Sequence, residues 1–427
     1  MYLRGSKWQM QRQRKRRKSN PALIVLLVLL ILAMFYFNQY VAPTIPVSEG
    51  ATATPTRDPE SFINQAEAQF AEGNLIQAIE SYQQAVIADP SNPSIYIALA
   101  RVQVLAGRYE SAETSARNAL LLSSENPDAH ALLGWTLNFL GRPDEALASI
   151  ERALALDPNS AYAHAFYAEL LADQEDFVQA GEESRLALSL SPGLLEVRRA
   201  RGYVLERSGN YEEAIREYQA ALAINDRIAD LHLALGRAYR ALEQYDEAID
   251  QFVRADALNP TDSLPDTYIG LIYLTTGEFG RAVQSMLQAV SEDPSNPYRW
   301  GNLGNAYYRN QQPEEGIAAF SLAIHGGVTD EGVIVQGVPL DYGQEAAFYY
   351  LYGLLLARTN RCSQALPIAQ ALIASVPADL TAVANADEII FACGEQAENP
   401  PTSTPFPEAT PAPGAGEEGD TMTEPQG

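Results

Sequence analysis

The chain has 427 residues, of which 47% are hydrophobic, and its formal net charge is −25. That hydrophobic content is sufficient for a large core. Eight of the 29 Lys and Arg residues lie within residues 1–20, which contain no acid, so the rest of the chain is more acidic than the total suggests. An acidic body argues against nucleic acid as a partner, because phosphate binding requires clustered positive charge.

The N-terminal segment has the pattern of a membrane anchor. Residues 1–20 form a basic head, and residues 21–42 are predominantly apolar and contain interfacial aromatic residues such as Tyr36 and Tyr40. A cleaved signal peptide is the alternative, but the apolar run is long and has no clear small-residue cleavage site. We therefore predict a single-pass cell-membrane protein with a cytoplasmic N-terminus and an extracytoplasmic body. Residues 43–58, rich in Pro and Thr, are predicted to form a stalk.

The central part of the chain repeats itself every 34 residues. In residues 229–262, two amphipathic helical patterns are joined by a short polar turn, and Asn259-Pro260 ends the second helix. Small residues recur at two positions of this unit without insertion or deletion, as expected where two helices cross closely. The two series are Ala78, Ala112, Ala146, Ala180, Ala214, Ala248, Ala282 and Gly316, and Ala85, Ala119, Ala153, Ala187, Ala221, Ala255, Ala289 and Ala323.

On these residues the chain resembles the tetratricopeptide repeat family, whose repeat is a helix-turn-helix of 34 residues. The resemblance implies an all-α superhelical solenoid of about nine repeats with a C-terminal capping helix. It also implies a concave face that binds peptides or protein segments. We expect eight contiguous units over residues 59–327, an inserted loop over 328–343, and the last unit with its capping helix over 344–394. The Pro-, Thr- and acid-rich residues 395–427 are expected to be disordered.

The inserted loop breaks the 34-residue period by adding 15 residues between the eighth and ninth units. Its sequence favours a small hairpin or another ordered loop. Insertions in repeat arrays often contact partners, although surface loops also tolerate insertions that have no role.

The two cysteines, Cys362 and Cys393, are predicted to form a disulfide. Within the repeat frame, Cys362 begins the last second helix and Cys393 ends the helix stacked after it, and the resemblance places these two ends side by side. Thiols outside the cytoplasm oxidise. The bond would hold the C-terminal cap in place.

The sequence gives almost no support for catalysis, a metal centre or a cofactor. His130, His164 and His232 occupy the same position in three repeats, so they lie a repeat apart and cannot converge on one zinc ion. We find no phosphate-binding glycine loop, no nucleophile motif and no cysteine cluster. We therefore expect that the protein is not an enzyme.

The resemblance assigns the concave face to fixed positions of each first helix, and aromatic and arginine residues at these positions are candidates for partner binding. Such residues could hold an acidic or C-terminal protein segment through charge-assisted pairs. Salt bridges within the groove, such as Arg237 with Asp230 or Glu206, are an equally weighted alternative. The candidates are Trp135, Phe139, Tyr162, Arg199, Tyr203, Arg207, Arg237, Arg240, Tyr298, Asn305, Tyr308 and Arg309.

Taken together, these patterns predict a membrane-anchored scaffold for protein–protein interaction. Two other functions remain open. The aromatic groove could bind a glycan or cell-wall polymer, or the chain could be an accessory subunit of an envelope enzyme complex.

Overall fold

The structure, a computed structural model, describes residues 25, 29–32, 34 and 58–398, with side chains described as far as residue 394. Most of the predicted anchor and stalk, and all of the basic head and of residues 399–427, lie outside the described residues. The described residues form no helix that has the length and apolar character needed to cross a membrane. Of these, residues 58–398 are continuous.

These residues form nineteen α-helices, of which the first eighteen make nine helix-turn-helix pairs. The first helix of each pair contacts its own partner, and from the second pair to the ninth the first helices also contact one another in sequence. We call the surface formed by the first helices the inner face. The first four pairs are α1 (Pro59–Ala71) with α2 (Leu75–Ala88), α3 (Pro93–Leu105) with α4 (Tyr109–Leu122), α5 (Pro127–Phe139) with α6 (Pro143–Leu156), and α7 (Ala161–Asp173) with α8 (Phe177–Leu190).

The remaining pairs continue in the same order. They are α9 (Leu195–Arg207) with α10 (Tyr211–Leu222), α11 (Ala229–Ala241) with α12 (Tyr245–Leu258), α13 (Leu264–Thr276) with α14 (Phe279–Glu292), α15 (Pro297–Arg309) with α16 (Pro313–His325), and α17 (Gln344–Arg358) with α18 (Cys362–Ser375). Helix α19 (Leu380–Glu398) packs on α17 and α18 and ends the array. The all-α solenoid predicted from the repeat is therefore confirmed.

The turn inside each pair contains one residue at positive φ, always in the same place. Five of the nine turns use glycine there, and four use a longer residue, such as Glu175 at φ 64° or Asn360 at φ 61°. Because longer residues adopt this conformation in four repeats, the turn itself does not demand glycine. Where glycine is required at this position, the reason can therefore be a close contact with another part of the chain.

The repeated small residues set the distance between paired helices. Gly236 of α11 faces Phe252 of α12, and a Cβ at Gly236 would lie 2.5 Å from the Phe252 ring. The alanines at the two small-residue positions are buried, Ala221 among them. Since the second helices are packed through these small side chains, larger ones would force the helices apart.

We expect Ala221→Leu to lower the free energy of unfolding by about 1–3 kcal/mol, because the added atoms have no space at the helix crossing. Urea denaturation followed by circular dichroism measures the effect. Ala155→Leu, which adds the same atoms at an exposed position of α6, is the matched control and should change stability by less than about 0.5 kcal/mol. An unchanged midpoint for Ala221→Leu would contradict the packing described here.

The segment inserted before α17 contains a short antiparallel hairpin. Strand β1 (Gly327–Val328) pairs with β2 (Ile334–Val335), with Gly327 opposite Val335 and Val328 opposite Ile334. The hairpin is tied to the array because the Val338 amide donates to the Ala323 carbonyl at 2.9 Å. The insertion is therefore ordered against the eighth pair.

The C-terminal cap is covalently closed. Cys362 at the start of α18 and Cys393 in α19 form a disulfide, with their Cα atoms 5.5 Å apart. The predicted bond is confirmed. It joins the last helix pair to the capping helix.

Candidate ligand-binding groove

The centre of the inner face is an aromatic cluster on α5 and α7. The Trp135 ring stacks on Phe166 at 4.4 Å and meets Phe139 edge-on at 5.7 Å. Phe139 in turn stacks on Tyr109, the first residue of α4, at 4.6 Å. Trp135 is only 1% exposed, so its ring is part of the packed interior in this conformation.

A charged network crosses the inner face through Arg199 of α9. The Arg199 guanidinium donates to Glu169 of α7 at 2.6 Å and to Asp230 of α11 at 2.9 Å, and it lies over the Trp135 ring at 5.3 Å. The Trp135 indole N–H donates to the other oxygen of Glu169 at 2.8 Å. Arg199 therefore links three consecutive repeats and is 7% exposed.

Burial and charge act in opposite directions on the carboxylates of this network. Burial raises the pKa of Glu169, and the nearby Arg199 charge only partly offsets that effect. Burial is also the largest single influence on Asp230, but the charge and hydrogen bond of Arg199, together with the Arg237 charge, outweigh it and lower the pKa. Glu169 is therefore the member that depends most on Arg199 to remain ionised.

A second network lies next to the first. Arg237 of α11 donates to Glu206 of α9 at 2.8 Å, and the Tyr218 hydroxyl donates to the same carboxylate at 2.6 Å. The Tyr203 hydroxyl bonds to Asp173 of α7. The sequence left open whether Arg237 binds a ligand or forms a salt bridge within the groove. In this structure Arg237 forms the salt bridge with Glu206.

Two important residues of the inner face were missed by the sequence analysis. Arg101 of α3 forms an ion pair with Glu196 of α9, and Glu196 is fully buried. A signal was present, because Arg101 is the ninth residue of its helix, the position occupied by Trp135, Tyr203 and Arg237 in theirs. No sequence pattern indicates that Arg101 pairs with a residue three repeats away.

The inner face contains a partly open cavity of about 310 Å³. One wall comes from the first and second repeats and includes Asn74, Gln77 and Tyr109. The opposite wall comes from the fifth to seventh repeats and includes Arg199 and Asp262. Both charged and aromatic groups line it, so it can hold polar ligand atoms next to apolar ones.

Arginines also occupy the last turn of four first helices in the C-terminal half of the array. We call these residues the arginine row. The Arg240 guanidinium lies over Tyr268 at 5.2 Å, and that of Arg358 over Tyr308 at 5.2 Å. The row consists of Arg207, Arg240, Arg309 and Arg358.

The other candidates of the C-terminal half lie on α15. The Tyr298 hydroxyl bonds to Glu345 of α17, and burial raises the Tyr298 pKa to about 12. Asn305 and Tyr308 are half-buried on the same helix. Tyr162 of α7 is also half-buried, and burial together with the Glu196 charge raises its pKa to about 12.

The repeated histidines have a structural role. The His232 Nε2 contacts the Asp226 carbonyl at 2.8 Å, and the Trp300 indole N–H bonds in the same way to the Pro294 carbonyl at 2.9 Å. Each partner lies six residues earlier in the chain. The fourth residue of these first helices therefore bonds a carbonyl of the preceding loop, and the same contact is made by Tyr96, His130, His164 and Arg198.

The seventh repeat has Asp266 in place of that donor. Its carboxyl group lies close to those of Asp256 and Glu292, with oxygens within 4.8 Å of one another. Burial and the charges of Glu292 and Asp256 together raise the pKa of Asp266 to about 7. A protonated Asp266 can donate a hydrogen bond, as the side chains in the other repeats do.

We expect Asp266→Asn to remove a pH dependence of stability. An unfolded aspartate has a pKa near 3.9, so between about pH 4 and 7 the folded state holds the extra proton and stability falls as pH rises. Above pH 7 the variant should be more stable than the parent by about 1 kcal/mol, discounted for partial exposure of the carboxyl. Urea denaturation across this pH range measures the difference, and Asp250→Asn at an exposed site is the control. Parallel curves for Asp266→Asn and the parent would contradict the assignment.

Stacked helix pairs with a polar and aromatic inner face define a helical-repeat protein. Two family models, both described as tetratricopeptide repeat, match the chain, one over residues 69–136 and 106–170 and the other over residues 199–263 and 269–329. Together the matches span more than half of the sequence. The chain therefore belongs to the tetratricopeptide repeat family, whose members bind protein or peptide partners.

Solved structures show similar folds at low sequence identity. The Cut9–Hcn1 hetero-tetramer of APC/C is 18% identical with a TM-score of 0.47, over 58% of this chain and 49% of that one. The human IFIT1 dimer with PPP-AAAA is 17% identical with a TM-score of 0.46, over 62% and 71% of the two chains. A tetratricopeptide repeat protein from Parabacteroides merdae ATCC 43184 is 19% identical with a TM-score of 0.39, over 58% and 98%.

The match to the first of these covers only about half of its length. No curated protein matches the sequence significantly. These comparisons concern the fold alone.

Proposed function

We propose that the protein is a non-enzymatic scaffold that binds an acidic polypeptide segment along the inner face of its fifth to ninth repeats. The observation that carries the proposal is the arginine row, Arg207, Arg240, Arg309 and Arg358, in a protein whose net charge is −25. Tetratricopeptide repeat proteins bind protein or peptide partners, and the proposal adds the location and the chemistry of the ligand.

The arginine row has the features of a carboxylate-binding surface. Its side chains are half-buried, and three of the four guanidinium groups lie over aromatic rings, which limits their motion. The Nε atom of Arg207 is buried and has no hydrogen-bond partner among the described residues. Guanidinium groups bind carboxylates through two parallel hydrogen bonds, and partly buried arginines are common hot spots.

Other arginines of α9 and α11 are less suited to the same role. Arg199 and Arg237 already bind Glu169, Asp230 and Glu206, so an acidic ligand would have to displace these carboxylates. Within the arginine row, Arg358 lies 3.6 Å from the exposed carboxylate of Glu388. The helix dipole also favours a cation in the last turn of a helix, so stability measurements cannot separate the two roles of the arginine row. A binding measurement can.

The proposal is tested by titrating the full-length chain in detergent with a fluorescein-labelled glutamate-rich peptide and following anisotropy. The triple variant Arg207→Gln, Arg309→Gln and Arg358→Gln should bind roughly a hundredfold more weakly, from the loss of about 1 kcal/mol for each charge. The matched control removes three exposed arginines of the second helices with the same change in net charge. Its substitutions are Arg152→Gln, Arg185→Gln and Arg254→Gln.

The control variant should bind within about threefold of the parent, since exposed charges act mainly through the screened long-range field. Equal weakening of both variants would show that only net charge matters and would contradict the site. A neutral glutamine-rich peptide that binds as well as the acidic one would also contradict it. Binding of an oligosaccharide in place of either peptide would favour the glycan-binding alternative.

We further propose that residues 21–42 anchor the scaffold in the cell membrane with the repeats outside the cytoplasm. Support comes from the sequence: a long apolar run preceded by eight basic residues. Protease added to intact cells should digest the repeats, and alkaline carbonate should leave the chain in the membrane fraction. Protection from the protease, or release by carbonate, would contradict this topology.

A further inference from the structure

In helical-repeat arrays each repeat normally contacts only its neighbours. Here the first repeat also contacts the loop between the fifth and sixth repeats. The Asn225 side-chain amide donates to the Phe70 carbonyl at 2.7 Å, and the Arg227 guanidinium donates to the Glu72 carbonyl at 3.0 Å. We call this contact the latch.

The sequence of the loop differs from its repeat equivalents where the latch forms. Helix α10 has 12 residues instead of the 14 found in most second helices, and Asp226 occupies the place of the usual closing proline. Asn225 is 6% exposed, and its side-chain oxygen accepts the Arg227 amide at 3.0 Å. The loop is thus arranged to present Asn225 and Arg227 to the first repeat.

In the first repeat, Gly73 leaves the space that Arg227 occupies. A Cβ at Gly73 would lie 1.9 Å from the Cβ of Arg227. The equivalent Gly107 in the next repeat has φ 69° and nothing within 4 Å of an added Cβ. Since other repeats place Glu, Gln or Asn at this turn position, glycine at 73 is required by the contact with Arg227 and not by the turn.

A second contact between distant repeats joins α3 of the second repeat to α9 of the fifth. Arg101 pairs with Glu196 and lies over the Phe70 ring at 4.8 Å. Glu196 is 0% exposed, and its Oε2 atom has no hydrogen-bond partner among the described residues. Glu196 is thus buried against the second repeat with one carboxylate oxygen unpartnered, which costs free energy, and a movement that admits water to Glu196 would remove that cost.

We propose that the latch opens and closes and thereby controls access to the cavity lined by Tyr109, Trp135, Phe139 and Arg199. In the closed conformation the first repeat covers this surface, so a polypeptide can enter the inner face of the second to sixth repeats only after the first repeat moves away. The inference rests on the proposed polypeptide-binding function, and it adds an autoinhibitory contact within the same groove.

The test compares Gly73→Asn with Gly107→Asn in the full-length chain. Both place asparagine at the same positive-φ position, which Asn360 occupies in the ninth repeat. Only the first variant collides with Arg227. Two readouts follow the latch without any ligand: exchange of the Asn225 and Arg227 amides, and acrylamide quenching of Trp135 in a shared Trp8→Phe, Trp300→Phe background.

In Gly73→Asn we expect the backbone amides of Asn225 and Arg227 to exchange roughly tenfold faster. Their side chains lose the two latch hydrogen bonds, and the loop that holds these amides is then free to open. Quenching of Trp135 should increase. The glutamate-rich peptide should bind more tightly or faster, because the inner face of the fifth and sixth repeats becomes accessible. Gly107→Asn should match the parent in each readout. Arg227→Ala, which deletes one latch donor and keeps Gly73, should change the exchange in the same direction.

Unchanged exchange and quenching in both Gly73→Asn and Arg227→Ala would overturn the latch. Global loss of protection in Gly73→Asn alone would point to misfolding, and Arg227→Ala then decides the question. Faster exchange without any peptide binding would support the latch and contradict the proposed function, so the two failures are distinguishable.

Discussion

Replacing Arg199 by alanine is expected to lower the free energy of unfolding by about 3–5 kcal/mol, because it leaves a buried carboxylate without its partner. Arg199 donates to Glu169 at 2.6 Å, and Glu169 is only 2% exposed. Asp230 loses its ion pair at the same time. The loss spans three repeats, so we expect the fifth repeat and its neighbours to unfold together.

The effect of Arg199→Ala should depend on pH. Burial already raises the pKa of Glu169, and removal of Arg199 raises it further. A carboxyl group whose pKa is higher in the folded state than in the unfolded state stabilises the fold at a pH below its unfolded-state pKa. This contribution is lost as the pH rises through the folded-state pKa. The variant should therefore be closest to the parent at acidic pH and furthest from it at neutral pH.

Two further variants test whether the loss of stability comes from the buried ion pair. Arg216→Ala removes an exposed ion pair with Glu213 and should cost less than about 0.5 kcal/mol. Glu169→Gln in the Arg199→Ala background removes the orphaned charge and should recover part of the loss. Chemical denaturation measures all four chains. A cost for Arg199→Ala no larger than that for Arg216→Ala would contradict the network.

Removal of the disulfide between Cys362 and Cys393 should destabilise the C-terminal cap by about 3–4 kcal/mol, from the restored entropy of a loop with a sequence separation of 31. Because stability in a repeat array is local, the loss should appear as faster amide exchange in α18 and α19. The first four repeats should be unaffected.

The measurement is hydrogen exchange on the Cys362→Ser, Cys393→Ser variant and on the reduced parent. Agreement between the two separates the loss of the bond from the effect of serine in the core. Protection of α19 equal to that of the oxidised parent would contradict a stabilising role. A uniform loss of protection through all nine repeats would contradict the local character of the effect.

The sequence was sufficient to predict the fold because the repeat has a strict period. The small residues such as Ala221 and Ala248, and the closing proline at 260, identify the helix pairs without any long-range information. The pairing of Cys362 with Cys393 followed from the same frame. The frame also placed Trp135, Arg199 and Arg237 on the inner face, but it could not decide whether each contacts a ligand or a neighbouring side chain.

The latch could not have been predicted in this way. Asn225 and Phe70 are 155 residues apart, and their contact depends on the accumulated rotation of five repeats, which no local pattern specifies. One local signal was available in the sequence, the missing proline at Asp226, and the structure adds the shortened helix α10. They indicate an irregular loop, but they do not identify its partner.

The most direct test of the central claim is hydrogen exchange of the full-length chain with and without the glutamate-rich peptide. If the peptide binds along the inner face, the last turns of α9, α11, α15 and α17 should gain protection, and the exposed sides of α4, α6 and α8 should not. Protection confined to those second helices, or to the hairpin of β1 and β2, would contradict the account and move the binding site to another surface.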